Sequence, residues 1–285
     1  GARFGPSIMG GGKRAYWDRV SHILIAISAK YDDTPCATWM GNEGAGHFVK
    51  AVHNGIEYAD MQMIAEAYGV MRDGMGMVPD AIGDTFSAWD NGTLDSYLTE
   101  ISAKVAKATD PKTGQPMLDV IVDAAGQKGT GRWTVIEAQH LATPIPAIDA
   151  AVVARNLSSQ LDKRAQGEAL FGAAPLPITD ISLDDLEGAL IAGKIICYAQ
   201  GFEMMRKASD QFGWTLPLPD IARVWREGCI IRSKMLNDMA DALTNDADRN
   251  LMFAPFFAGL LRANHDALRR VVAAAAIGGV AMPAL

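Results

Sequence analysis

The chain has 285 residues, 49% hydrophobic and 21% charged, with a formal net charge of -7. This is ample material for a buried core and an ordinary balance for a globular protein. The negative charge excludes a nucleic-acid-binding surface as the main function, because a phosphate backbone demands concentrated Lys and Arg.

Cys36, Cys197 and Cys229 lie far apart without metal-type spacing. Their odd number fits a reducing compartment better than a disulfide framework, so the expected location is the cytoplasm. No apolar run reaches membrane-spanning length, and the C-terminal "VVAAAAIGGVAMPAL" reads as a buried helix and its exit. The start, "GARFGPSIMGGGK", is turn-rich, carries no secretory signal and reads as cut from something longer.

In chain order, apolar residues recur at three and four rather than two. From Tyr16 to Lys30, Trp17, Val20, Ile23, Leu24 and Ile27 share one face, which predicts an amphipathic helix. Similar periodicity predicts helices over 47–72, 94–107, 145–170, 183–212, 220–243 and 256–276. Between them stand the turn signals "DDTP", "DNGT", "TDPKTGQP" and "AAPLPITD". No series of alternating strands is present, so the fold class is all-α, with residues 1–285 expected to form a single helical domain.

Two segments share one plan. "KAVHNGIEYADMQMIAEAYGV" from Lys50 aligns without a gap on "KIICYAQGFEMMRKASDQFGW" from Lys194. Lys meets Lys, Tyr58 meets Phe202, Met61 meets Met205, and Tyr68-Gly69 meets Phe212-Gly213. This suggests an internal repeat of roughly 16–110 and 145–285; the alternative is a chance match of two amphipathic helices. The second copy has Cys197, Tyr198 and Gly201 where the first has His53, Asn54 and Glu57. Polar chemistry is therefore confined to one copy.

At about 100° per residue, Lys50, His53, Asn54, Glu57 and Met61 share a helix face, with Tyr58 at its margin. Val49, Val52, Ile56, Ala59 and Met63 lie opposite. A plain surface helix is the bland reading. Solvated faces are usually Glu, Lys, Gln and Arg, however, whereas this one offers a base, an imidazole, an amide and a carboxylic acid beside glycines that permit close approach of a ligand. A Lys whose pKa is lowered by burial can accept a hydroxyl proton while a Glu delivers one elsewhere on the same polyhydroxy acid.

A second constellation is "IVDAAGQKGTGRWT", residues 121–134, where Gly126, Gly129 and Gly131 surround Lys128 and Thr130. Amide N–H groups, one Lys and one hydroxyl suit a phosphate; the alternative is an ordinary glycine-rich turn. The order of residues is not that of a nucleoside-triphosphate loop. Arg155, in "VVARNLSS", lies among apolar and small residues and requires a partner, either a carboxylate or a bound anion.

These stretches, with "GAGHFVKAVHNGIEYADMQ", "KIICYAQGF" and "WREGCIIRS", resemble the helical domain of 6-phosphogluconate dehydrogenase, the decarboxylating enzyme of the pentose phosphate pathway. The resemblance runs in order over essentially the whole chain. It implies a large helical array of two similar multi-helix units, a homodimer, NADP as cofactor, 6-phosphogluconate as substrate and no metal. It implies Lys50 as the general base, Glu57 as the acid, His53 and Asn54 as ligands of carboxylate and hydroxyls, and Tyr58, Lys128, Thr130 and Arg155 as the phosphate site. The stripe and the cradle would then serve two ends of one sugar acid.

Departures accompany the likeness. No glycine-rich dinucleotide loop stands in a strand-turn-helix context, so the chain is expected to lack the family's cofactor domain and to be inactive alone. It also ends before the family's C-terminal tail, so His265 does not correspond to the tail histidine. Gly10 stands where Pro is common. A non-catalytic module that dimerises or binds sugar phosphates is the rival reading, and a related β-hydroxyacid dehydrogenase with another substrate is a third.

Overall fold

The computed structural model describes residues 3–172 and 176–285; the first three residues of "AAPLPITD" lie outside that set. Chain order begins β1 (Ile8–Gly11), α1 (Arg14–Ile27), β2 (Lys30–Tyr31), β3 (Thr34–Pro35), β4 (Ala37–Gly41) and α2 (Ala45–Gly69). A π-helical turn, Val70–Gly74, precedes α3 (Pro79–Asp90), α4 (Tyr97–Ala106), α5 (Met117–Val120), α6 (Thr130–His140), α7 (Pro146–Ser158) and α8 (Leu161–Phe171). The chain continues with α9 (Leu183–Phe212), α10 (Leu218–Val224), α11 (Met235–Asn245), a 3-10 turn at Leu251–Phe253 and α12 (Pro255–Gly278). Twelve α-helices against four strands of two to five residues make the described residues an all-α fold. None of these helices is long and apolar enough to cross a membrane.

The chain divides into two compact units. One comprises Gly1–Glu57, Thr130–Ile145 and Ile195–Gly259; the other comprises Tyr58–Gly129, Pro146–Lys194 and Leu260–Leu285.

In the first unit, β1 and β4 pair in parallel, Ile8 opposite Ala37 and Gly10 opposite Trp39. Parallel strands need a crossover, which α1 supplies. Trp17 is the buried residue of α1, and a Cβ on Gly10 would come 2.4 Å from its ring. Gly10 therefore makes room for the indole. The rest of the expected apolar face of α1 turns outward, with Val20, Ile23 and Ile27 exposed, because a two-stranded sheet is too narrow to cover it. A Cβ on Gly46 would sit 2.5 Å from the Met9 carbonyl oxygen. This glycine thus serves the approach of β1 to the first turn of α2, not the approach of a ligand. Val49, Val52 and Ile56 are fully buried. Gly201 of α9 packs so closely on Ile56 that a Cβ there would lie 2.5 Å from Cδ1. Trp225, fully buried, follows α10, which packs on α11.

In the second unit, Ala59 and Met63 continue the buried face of α2. Asp60 of α2 accepts a 2.9 Å bond from Lys194 of α9, both side chains being almost wholly buried. Pro79 opens α3, where its missing N–H costs nothing, and α3 packs on α4. Ser96 caps α4 by accepting from the Thr99 N–H at 3.2 Å. Glu66 accepts the N–H groups of Ala284 and Leu285 at 2.9 and 3.0 Å, while burial pushes its carboxyl pKa up.

Periodicity located α2, α4, α9 and α12 well. The expected helix over 145–170 is broken between Ser158 and Leu161, and that over 220–243 is broken around Gly228, whose φ is 75°. Helices α3, α5 and α6 were not among those expected.

Candidate active site

In the first unit the polar side of α2 carries a connected chain of side chains. Lys50 Nζ lies 3.1 Å from His53 Nδ1, and the same nitrogen lies 3.0 Å from Asn54 Oδ1. Asn54 Nδ2 donates to Thr130 Oγ1 at 2.9 Å. Accepting that bond leaves the Thr130 hydroxyl proton available for another acceptor. The first turn of α6 is fixed against α2 by the Thr134 hydroxyl, which donates to the Ala51 carbonyl at 2.6 Å. Glu57 Oε2 approaches His53 Nδ1 to 4.0 Å.

His53 is 0% exposed, which the helical wheel did not foresee. The Trp225 ring stands edge-on to it at 5.5 Å between centroids. Burial, then the neighbouring Lys50, lowers the imidazole pKa to about 3, so the ring is neutral. Its Nε2 has no hydrogen-bond partner among the described residues.

The Lys50 pKa is lowered, chiefly by loss of hydration and against the opposing attraction of Glu57. Cys229, following α10, also faces this amine. Its thiol, donating to the Trp225 carbonyl at 3.1 Å, is pushed up to about 12 by burial and so stays uncharged. Sequence alone gave no sign of Trp225 and Cys229 at this site, because they come from a segment far beyond α2 in the chain.

In the second unit, the Arg155 guanidinium lies 3.8 Å over the Tyr58 ring centre, and one of its nitrogens donates to the Gly126 carbonyl at 2.9 Å. The partner that this arginine required is thus an aromatic face plus a backbone oxygen. Three further groups pin the loop before α6. Ser158 Oγ accepts from the Ala125 N–H at 2.9 Å, Arg164 grips Asp123 Oδ2 with two nitrogens at 2.9 and 2.7 Å, and Asn156 accepts from Gln127. Gly129, with φ 101°, provides the turn into α6. Lys128 is exposed at the tip. A cavity of about 810 Å3 in this unit touches Ala125 and Ser158, but neither Lys128 nor Arg155 lines it. Among the described residues no group of three His, Cys, Asp or Glu side chains could hold a metal ion.

Fold and site together define an all-α domain with a hydrogen-bonded polar face on its helix α2. The model of the 6-phosphogluconate dehydrogenase C-terminal domain matches residues 46–285. A relative from Schizosaccharomyces pombe named "6-phosphogluconate dehydrogenase, decarboxylating" is 46% identical over 291 residues, covering 100% of this chain and 58% of that protein. A relative from Bacillus subtilis named as NAD(+)-dependent and decarboxylating is 42% identical over 290 residues, covering 100% of this chain and 62% of its own. The solved Plasmodium falciparum 6-phosphogluconate dehydrogenase, described in its apo form and in complex with NADP+ and with 6-phosphogluconate, superposes with a TM-score of 0.92. It is 36% identical over 96% of this chain and 60% of that one. The chain belongs to the 6-phosphogluconate dehydrogenase family. It spans about three-fifths of the length of these curated relatives.

Proposed function

We propose that this chain is the substrate-binding and acid–base part of an enzyme that oxidises and decarboxylates 6-phosphogluconate to ribulose 5-phosphate and CO2 with NADP reduction. The observation that carries the reading is Lys50. Its amine has a lowered proton affinity, touches a wholly buried neutral imidazole and shares a helix with Glu57.

Lys50, as the free amine, takes the proton of the substrate C3 hydroxyl while that carbon is oxidised to a ketone. The ammonium formed polarises the ketone oxygen, and the C1 carboxylate leaves as CO2 while its bonding pair moves toward that oxygen. Glu57, as the acid, then protonates the enediol carbon. Asn54 and His53 hold the carboxylate and hydroxyls. Tyr58, Lys128, Thr130 and Arg155 hold the phosphate, with Arg155 preset by its stacking on Tyr58. The pinning of the 121–129 loop supports this assignment, because a preorganised anion site loses less entropy on binding.

Gly10 and Gly11 close β1 and Gly12 follows it, a glycine run of the kind a dinucleotide loop uses, but they do not fit a pyrophosphate. The Trp17 ring fills the side-chain position of Gly10, and the backbone of Gly46 fills that of Gly11. The NADP assignment therefore rests on the family and not on these glycines. Location in the cytoplasm rests on the free thiols of Cys36, Cys197 and Cys229, and homodimerisation rests on the family resemblance.

The test is NADP reduction by the protein assembled with its cofactor-binding part. Lys50→Ala is expected to lower the oxidation rate by about 10²–10⁴-fold, the range for a general base, with the fold unchanged by circular dichroism. Normal turnover by this variant would remove Lys50 as the base.

A further inference from the structure

Three observations in the first unit point the same way. Nδ1 of His53 lies within hydrogen-bond reach of both Asn54 Oδ1 and Lys50 Nζ. Nε2 of the same ring is buried with no partner among the described residues. The Asn54 amide directs its NH2 at Thr130 Oγ1, so its carbonyl oxygen is the atom turned to the ring.

A neutral imidazole has one proton to place. On Nε2 it would find no acceptor, and the bare Nδ1 lone pair would face the Asn54 oxygen at 3.0 Å. On Nδ1 it meets that oxygen directly, and the unused nitrogen is a bare acceptor, the less costly group to leave unpaired inside a protein. The amide orientation thus selects the Nδ1–H tautomer. The same choice acts on the lysine 3.1 Å away. An ammonium there would present a donor to a donor, whereas a free amine presents its lone pair to the shared Nδ1–H.

We infer that Thr130, Asn54 and His53 form a tautomer lock: Thr130 accepts from the amide NH2, the amide oxygen thus turned to the ring holds the imidazole proton on Nδ1, and Nδ1–H favours Lys50 as the free amine. All three are positioning residues in this role, separate from any contact with substrate. The other groups facing Lys50 do not supply the effect. Glu57 favours the charged lysine, and Cys229 is an uncharged thiol. Burial of the amine acts in the same direction as the lock, which adds a directional hydrogen bond. The inference rests on the reading of Lys50 as the base, since only the free amine can take a proton.

The lock is tested on this chain without substrate or cofactor. Nitrogen NMR of 15N-histidine-labelled protein reads which nitrogen of His53 is protonated; Nδ1 is expected, and Nε2–H would overturn the lock. Competitive acetylation with peptide mass spectrometry reads the titration of Lys50. Thr130→Val lets the amide turn and Nδ1 accept from the ammonium, so the Lys50 midpoint is expected to rise by about one pH unit, the equivalent of one hydrogen bond. Thr130→Ser is expected to restore it, and an unmoved midpoint in a folded Thr130→Val protein would overturn the lock. If Thr130→Val does not fold, the spectrum of the unaltered chain decides alone. Intact lock signatures alongside full turnover by Lys50→Ala would instead discard the base assignment and leave the lock standing.

Discussion

His53 should make the first unit acid-sensitive in a way that one substitution can isolate. The ring is wholly buried with a folded-state pKa of about 3, against an ordinary value of 6.5. Between these values the unfolded chain binds a proton at this residue and the folded chain does not, so stability falls as pH falls. The contribution is intact above pH 6.5 and is lost progressively toward pH 3. At ~1.4 kcal/mol per pH unit, the loss between pH 7.5 and 4.5 is roughly 2–3 kcal/mol, a large part of a typical folding free energy. The assay is urea unfolding from pH 7.5 to 4.5 for the chain and for His53→Gln, which keeps a polar group but cannot titrate. Carboxylates such as Asp185, whose pKa is lowered by the Ser182 N–H and Arg270, also destabilise the fold in acid, but they do so equally in both proteins. The difference between the two curves is therefore the histidine contribution and should shrink by roughly 2–3 kcal/mol from pH 7.5 to 4.5. Parallel curves would refute the assignment of a buried neutral imidazole.

Further predictions follow from the packing. Lys194→Ala leaves Asp60 buried and unpaired and should cost about 3–5 kcal/mol in denaturant unfolding, while the double change Lys194→Met/Asp60→Leu should recover most of it. Gly10→Ala forces a methyl group to within 2.4 Å of the Trp17 ring and should cost about 1–3 kcal/mol, read as a lower unfolding midpoint. Arg155→Lys removes the planar group stacked on Tyr58 and should weaken binding of a sugar phosphate about tenfold by calorimetry, although the charge is kept.

Much of this was legible in the sequence because helices write their packing locally. The residues assigned to the inner side of α2, from Val49 to Met63, are all buried, and α9 begins and ends where the periodicity places it. What escaped depends on partners distant in the chain. Strand β1, "IMGG", has no alternation to reveal it and exists because Ile8 meets Ala37 across a crossover. The stripe of α1 promised a core face, yet the surface that would cover it is not supplied by its neighbours in the described residues. The break between α7 and α8 falls in "SSQL", where no Gly or Pro marks it. At the site, the wheel placed His53 on the polar face of α2, and its complete burial could not be read there because Trp225 cannot be seen from α2. Arg155 was rightly expected to have a partner, but a stacked tyrosine and a backbone carbonyl leave no sequence spacing to find.

The most direct test of the central claim is calorimetric titration of this chain with 6-phosphogluconate at low and moderate salt, beside Lys128→Ala/Arg155→Ala. The account predicts saturable binding that weakens with salt and is lost in the double variant, because the phosphate is held by cations on a preorganised loop. Equal binding by both proteins would contradict the phosphate site. Absence of binding by the unaltered chain would contradict the claim that these residues form a substrate-binding part.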